Sequence, residues 1–207
     1  MHIKKFLLGA GGHGKVVYSS WKEIENTTIM ICDNSPDKIQ EFFLDGKIIQ
    51  PFDLDLIPNC GHVAIGNNNS RRQMYELLYK NGKEVISIFD QNANISKFCK
   101  IDSGSFVAAG STLSSCATVG KGVIINHNVV VDHDCKVGDY SHIAPGAILG
   151  GEVRIGKECI IGSGAVILPG IQISDGVLVG SGSVVTKDIN KKNIVVFGAP
   201  AKTRGVR

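Results

Sequence analysis

VGKGVI INHNVV VDHDCK VGDYSH, residues 119–142, divides into four hexads that each open on a β-branched aliphatic residue: Val119, Ile125, Val131 and Val137. Working outward in both directions, the same phase holds without a skip through Ile95, Ile101, Val107 and Leu113 on one side. On the other side it continues through Ile143, Leu149, Ile155, Ile161, Ile167, Ile173, Val179 and Val185. The fifth place is small or apolar (Cys99, Ser105, Ala117, Val123, Cys135, Ala147, Cys159, Ala165, Val177), and the second and fourth places are rich in Gly, Asp and Asn. An unbroken six-residue period of this kind specifies a parallel β-helix.

Each hexad supplies one short strand and one turn. Three hexads close a triangular coil of about eighteen residues that stacks on the next at roughly 4.8 Å. The first-place side chain points inward, where a β-branched residue suits extended backbone and packs on its equivalent one coil away. Turn glycines fall at Gly104, Gly110, Gly122, Gly146, Gly164, Gly170, Gly176 and Gly182, many at the fourth place, where positive φ is favoured. Residues 95–190 make about five coils by this arithmetic. A sandwich of short strands would need period-two alternation and hairpin turns, which the segment lacks.

The 207 residues leave some ninety ahead of the hexads for a small separate domain, which divides the chain into 1–92 and 93–207. A net charge of +3, with charges well mixed, gives no basic stripe for nucleic acid. No apolar run approaches a membrane span, and Gly9 ends the apolar stretch after Lys4-Lys5 too early for a secretory signal, so the expectation is a cytoplasmic protein without membrane insertion. None of the six cysteines forms a CxxC pair, which points to reduced, buried thiols rather than a metal or disulfide framework.

In the front segment, Ile3 to Leu8 reads as a strand, Gly9-Ala10-Gly11-Gly12-His13-Gly14 as a turn and Lys15 to Ile24 as a helix. Further strands are expected at Ile29–Cys32, ending in Asp33-Asn34, at His62–Ile65, ending in Gly66-Asn67-Asn68, and last at Val85–Ile88, with a helix over Ser70–Tyr79. This is a small α/β, Rossmann-like unit. Glycines 9, 11 and 14 with Asp33 formally meet the dinucleotide fingerprint, which makes NAD binding a rival. The segment is about half the length that two mononucleotide halves need, so a single nucleotide is the better fit. Glycine lets backbone N–H groups at a helix start approach phosphate, His13 offers a donor to phosphate or sugar, and Asp33 and Asn34 stand where ribose or base contacts belong.

The Gly-Ala-Gly-Gly-His-Gly loop, Ile65-Gly66-Asn67-Asn68, the hexads and the closing Gly198-Ala199-Pro200-Ala201-Lys202 together resemble sugar acyltransferases of the NeuD/PglD type over nearly the whole chain. The resemblance implies a left-handed β-helix, against the usual crossover preference, with three chains side by side and acetyl-CoA in the groove between neighbours. It also implies transfer of an acetyl group to a nucleotide-linked amino sugar without a metal.

Acetyl transfer from a thioester needs a base for the acceptor's proton and a donor for the tetrahedral oxyanion, and histidine is the ordinary base near neutral pH. By resemblance, His133 is the base, in direct attack of the acceptor on the thioester, with Asp134 as its carboxylate. Many members carry Glu at the latter place. His142 matches a residue at the thioester end of acetyl-CoA, and Asn126 one close to the sugar; Gly151 offers a backbone N–H to the oxyanion. His133 and Gly151 both stand third in their hexads, eighteen residues apart, so one coil sets them one above the other. Ser163 and Ser181 match pantetheine contacts, and Pro200 and Ala201 the closure over the CoA end. The acceptor would be held by Gly11, Gly12, His13, Gly14, Asp33, Asn34, Gly66 and Asn67. His127 reads as a solvent-facing turn residue.

The leading reading is N-acetylation of a nucleotide-linked 4-amino-6-deoxy sugar for surface glycans. O-acetylation of sialic acid or another sugar hydroxyl is the alternative, and a nucleotide-binding trimeric scaffold without catalysis is a second.

Overall fold

The computed structural model describes residues 5–47 and 49–207, so Ile3 and Lys4 of the expected first strand lie outside the described residues. The front domain is a five-stranded sheet in the order β3-β2-β1-β4-β5, with every pairing parallel. Its strands are β1 (Lys5–Leu8), β2 (Ile29–Asp33), β3 (Gln50–Pro51), β4 (Cys60–Val63) and β5 (Glu84–Val85). Two helices connect them, α1 (Gly12–Ile24) and α2 (Asn68–Lys80). The helices begin two or three residues earlier than the apolar pattern suggests, because Gly11 and Asn67 serve as their N-caps; the Asn67 side chain accepts from Ser70 N at 2.9 Å. The two-residue strand at Gln50–Pro51 is exposed and too short to carry a period, which is why the sequence does not reveal it.

From Ile88 the chain winds as a parallel β-solenoid in which each two-residue strand pairs with the strand eighteen residues on, as Thr112 does with Val130. One of its three ladders carries six strands, from Asn94–Ile95 to Val184–Val185. The solenoid starts one hexad earlier than Ile95, with Ile88–Phe89 paired to Phe106–Val107. Residues 88–89 therefore belong to the solenoid, and the front sheet ends at Glu84–Val85. Phe89 takes the first place of that hexad and stays partly exposed, so the aliphatic rule that marks the other hexads is broken there.

First-place side chains form one continuous buried core, with Val107, Ile125, Val131, Ile143, Leu149 and Ile161 all sealed. The fourth place is left-handed at every hexad from Gly104 to Gly182, including the non-glycine residues Cys116, Asn128, Asp134, Tyr140, Glu152 and Glu158. A hairpin, Ile194–Gly198 with Ala201–Val206, caps the last coil across a cis Ala199–Pro200 bond.

Sixth-place side chains face outward and give the three ladders different chemistry. One row (Ile88, Phe106, Ile124, His142) lies under the front domain, where Ile88, Phe106 and Ile124 share a core with Leu7, Val17, Tyr18 and Trp21. A second row is polar and basic: Lys100, Thr118, Lys136, Arg154 and Gln172. The third begins polar, with Asn94 and Thr112, and is then apolar and uncovered through Val130, Ile148, Val166 and Val184.

A buried arginine joins the two halves. On α2, Asn68, Arg71, Tyr75 and Leu78 recur at helical spacing and form its buried face. The Arg71 guanidinium donates through Nε to Gly122 O at 2.7 Å and through Nη2 to Tyr140 O at 2.7 Å and Asn68 Oδ1 at 2.8 Å. Through Nη1 it donates to Ile65 O at 2.9 Å and Gly66 O at 3.0 Å. Burial pushes its pKa down to about 10, so it remains cationic at neutral pH. Asn68 donates in turn to Glu158 O at 3.1 Å and Cys159 O at 2.9 Å. Arg71→Met keeps the volume and strips several buried carbonyls of their donor, each worth about 1–3 kcal/mol. The expected loss is about 3 kcal/mol or more in a denaturant titration; a variant as stable as the parent would mean that water replaces the guanidinium at no cost.

Candidate active site

The carboxyl ends of β1, β2 and β4 meet where the strand order reverses, the usual crevice for a ligand in an open α/β sheet. A cavity of about 610 Å³ opens there, lined by Gly11, Gly12, His13, Asp33, Asn34 and Gly66 among others. Six of the acceptor-binding candidates are thus brought together. Asn126 is on the solenoid, and Gly14 and Asn67 do other work. A Cβ at Gly14 would run into the Gly9 carbonyl oxygen, so this glycine lets α1 pack on the turn, whereas a Cβ at Gly12 would meet nothing within 4 Å. Asn67 caps α2 and faces a different hollow.

Asp33 is already engaged within the chain. Its Oδ2 accepts from Ala10 N at 2.7 Å and its Oδ1 from Ser35 N at 2.8 Å, with Lys38 Nζ 3.6 Å from Oδ2. Those hydrogen bonds outweigh partial burial and hold the carboxyl below the usual range. Its role in this structure is to shape the glycine turn. Lys38, which the sequence reading did not single out, stands over the cavity beside Gly11. The N-terminus of α1 has no side-chain cap and no acidic residue in its first turn, so its N–H groups and Lys38 can meet an anion.

Where the front domain meets the solenoid, histidines from both halves gather behind His13. His13 packs edge-on against Phe106, ring centroids 5.5 Å apart, with Nε2 sealed and unpartnered among the described residues. Burial, with the neighbouring His62, His142, Arg71 and His127, lowers its pKa to about 3. Burial also lowers His62 and His142 to about 4, helped at His142 by Arg71. Asn126 Nδ2 lies 3.2 Å from His142 Nε2, and Asn126 Oδ1 accepts from the His127 backbone N at 2.9 Å and lies 3.0 Å from its Nδ1. His127 is therefore held half-buried at this corner rather than free in solvent.

His133 stands at the next corner of the triangle. Its Nδ1 is 2.9 Å from Asp134 Oδ2, so the aspartate reaches the ring directly. The left-handed backbone at Asp134, φ 60°, turns the shorter side chain back onto its neighbour. Hydrogen bonding to Asp134 and the charge of Asp132 raise the imidazole pKa above its ordinary value. One coil away, a Cβ at Gly151 would lie 2.5 Å from His133 Nε2, so only glycine leaves that nitrogen accessible. The Gly151 N–H makes no hydrogen bond among the described residues. An imidazole tied at Nδ1 to a carboxylate can take a proton at Nε2, and a free N–H beside it can stabilise an oxyanion.

The expected cofactor contacts are divided among several places. Gly151 shares the His133 corner. His142 lies beside the histidine cluster, and Ser163 and Ser181 are exposed on the His127 corner. Pro200 and Ala201 line a hollow of about 380 Å³ with Lys187, Lys191 and Lys202. One solenoid face, through Val130–Val131, separates the Asn126 and His133 corners. Among the described residues no group of three or more His, Cys, Asp or Glu is placed to hold a metal, and no helix is long and apolar enough to cross a membrane.

Fold and site together define a β-solenoid acyltransferase with a nucleotide-type front domain. Residues 4–78 match the PglD N-terminal domain model, and 116–151 and 152–187 match the bacterial transferase hexapeptide model. The acetyltransferase domain of PglB from Neisseria gonorrhoeae FA1090, solved with acetyl coenzyme A, is 32% identical; the superposition covers 99% of this chain and 100% of that one, with TM-score 0.89. PerB from Caulobacter crescentus, solved with CoA and GDP-perosamine, is 29% identical over 98% of this chain and 97% of that one, with TM-score 0.88. A GDP-perosamine N-acetyltransferase of Escherichia coli is 36% identical over 120 residues, 53% of this chain and 54% of that protein, so the match spans about half of this curated relative. The chain belongs to the NeuD/PglD-type family of hexapeptide-repeat sugar acetyltransferases.

His13, His62 and His142 are neutral in the folded protein at pH values where an unfolded histidine already takes up a proton. Their folded pKa values lie below the ordinary 6.5, so the stability they favour is complete above about pH 6.5 and declines as the pH falls toward 4. Roughly 1 kcal/mol per histidine should be lost by pH 5, about half the full linkage value because His13 and His142 keep some solvent contact. Urea midpoints measured from pH 7.5 to 5 should fall accordingly, and a flat profile would mean that these rings are not held neutral.

Proposed function

We propose that the protein transfers the acetyl group of acetyl-CoA to the amine of a nucleotide-linked 4-amino-6-deoxy sugar, in the cytoplasm, for surface glycans. The observation that carries this reading is His133, tied to Asp134 at Nδ1 and with Nε2 beside Gly151, whose N–H is unpaired among the described residues. The substrate classes are those of the relatives, one solved with acetyl coenzyme A and one with CoA and GDP-perosamine.

His133 Nε2 accepts the proton that the amine sheds as its nitrogen bonds to the acetyl carbon. Asp134 holds the ring in the required tautomer and balances the imidazolium. The Gly151 N–H donates to the oxyanion, and the His133 proton passes to the departing thiolate as the C–S bond breaks. The acceptor's phosphates fit the uncapped start of α1 and Lys38, with Asn34, Gly66 and His13 around them. The lysines around Pro200 and Ala201 suit the phosphates of CoA.

The working unit is a homotrimer in this reading. Of the three outer faces, one is covered by the front domain and one is basic, which leaves Val130, Ile148, Val166 and Val184 for another copy. Pairing of copies on that face would bring the His133 corner of one to the Asn126 and His142 corner of the next, and a groove between them would take acetyl-CoA.

In a thiol-release assay with acetyl-CoA and a panel of nucleotide amino sugars, His133→Ala should lower kcat by roughly 10²- to 10⁴-fold. Trimers mixed from His133→Ala and His142→Ala chains should regain turnover at roughly a quarter of their sites, by random assortment around a three-fold axis. Parental turnover in His133→Ala would remove the base, and no recovery on mixing would keep the whole site in one copy. Gly12→Val, where a side chain meets open space, should raise KM for the nucleotide sugar about tenfold or more and leave KM for acetyl-CoA unchanged. A KM change confined to acetyl-CoA would move the acceptor away from the glycine turn.

A further inference from the structure

We propose that Asp132 is a positioning residue for the reaction, a second carboxylate that fixes the His133 turn and supports the charged imidazole. The inference rests on His133 as the base. The Asp132 Oδ1 accepts from the His133 backbone N–H at 2.7 Å, while Asp134 Oδ2 lies 2.9 Å from Nδ1 on the other side of the same residue. The histidine is thus held twice, at its main chain and at its ring, by the residues on either side of it.

One hexad earlier, the same turn is built without a charge. Asn126 Oδ1 accepts from the His127 backbone N at 2.9 Å, from the same second place to the same third place. A neutral amide therefore closes this turn, so its geometry does not require the carboxylate at 132. What the aspartate adds is a negative charge next to a ring that becomes cationic during the reaction. The charged groups acting on His133 are Asp132 and Asp134 from its own turn and Glu152 from the coil above; the coil below presents Ser115, whose carbonyl accepts from Asp134 N at 3.1 Å. All the charges in that set are negative. With the His133 and Asp134 side chains more than half exposed, solvent screens each contribution, so Asp132 should tune the base rather than create it.

Asp132→Asn isolates the charge, because the amide oxygen can keep the turn closed as Asn126 does. Asp132→Ala removes both charge and cap. Two readouts decide the matter: the pH profile of kcat/KM, and an NMR titration of the His133 ring identified by the signal missing in His133→Ala. In Asp132→Asn, the acidic limb and the ring titration should both move about 0.3–0.5 pH units lower, with plateau kcat near that of the parent and KM for acetyl-CoA unchanged. Asp132→Ala should in addition lose about tenfold in plateau kcat, which Asn restores. Superimposable profiles and titrations for Asp132→Asn and the parent, with His133→Ala inactive, would overturn the role of Asp132 alone. Full turnover in His133→Ala would overturn the base and this role with it.

Discussion

From Gly104 to Gly182 every corner of the solenoid turns through a left-handed residue, and at the corner facing the front domain the carbonyls of these residues need donors from elsewhere in the chain. Arg71 serves Gly122 and Tyr140, Asn68 serves Glu158, and Arg207 serves Glu158 and Gly176. A buried polar group without a partner costs far more than a hydrogen bond returns, so this column of carbonyls fixes where α2 must lie. The cation at Arg71 meets no carboxylate among its hydrogen-bond partners. Its charge is spread over carbonyl dipoles from both halves, and neither half alone could satisfy it.

The position of α2 sets that of the glycine turn, because Arg71 also holds the Ile65 and Gly66 carbonyls that line the acceptor cavity. The same docking presses His13 against Phe106, while His62 is buried in the front sheet and His142 half-buried on the solenoid. A fixed cation beside these rings and the loss of water around them act in the same direction, and keep them neutral. The ring at His133 is instead solvated and ringed by carboxylates, which raise its pKa. Two histidine environments of opposite character thus arise on adjacent corners of one coil.

Features that repeat were legible in the sequence and features that occur once were not. The hexads announced the solenoid because each first-place residue faces the same packing problem, and the stacking of Gly151 on His133 followed from the eighteen-residue coil. The first rung was missed because Phe89 does not obey the aliphatic rule. Asp33 lines the cavity, as a carboxylate after a strand is expected to, and its oxygens also meet Ala10 and Ser35, contacts that no sequence pattern announces. The phosphate contact expected of Gly14 is through its backbone N–H, and the structure adds a packing reason for glycine there, since a Cβ would meet the Gly9 carbonyl. Arg71 carried one signal that could have been used. It falls on the 68, 71, 75, 78 spacing of the buried helix face, and an arginine in an apolar stripe requires buried acceptors.

A triangular coil has three faces and three corners, and this chain uses each face once: to seat the front domain, to stay in water, or to remain apolar. The front domain occupies one face, and Asn126 and His127 stand at a corner of that face. The eighteen-residue repeat places His133 one hexad further on, across the apolar face. In a single copy, an acceptor near the Asn126 corner would stand one solenoid face away from the base proposed at His133. If the apolar face is covered by another copy, the separation becomes useful, because the corner that one chain lacks is supplied by its neighbour. On this view the uncovered valines and Ile148 have the same cause as the distance between the two histidine corners. Both would follow from the proposed division of the site between copies across that face.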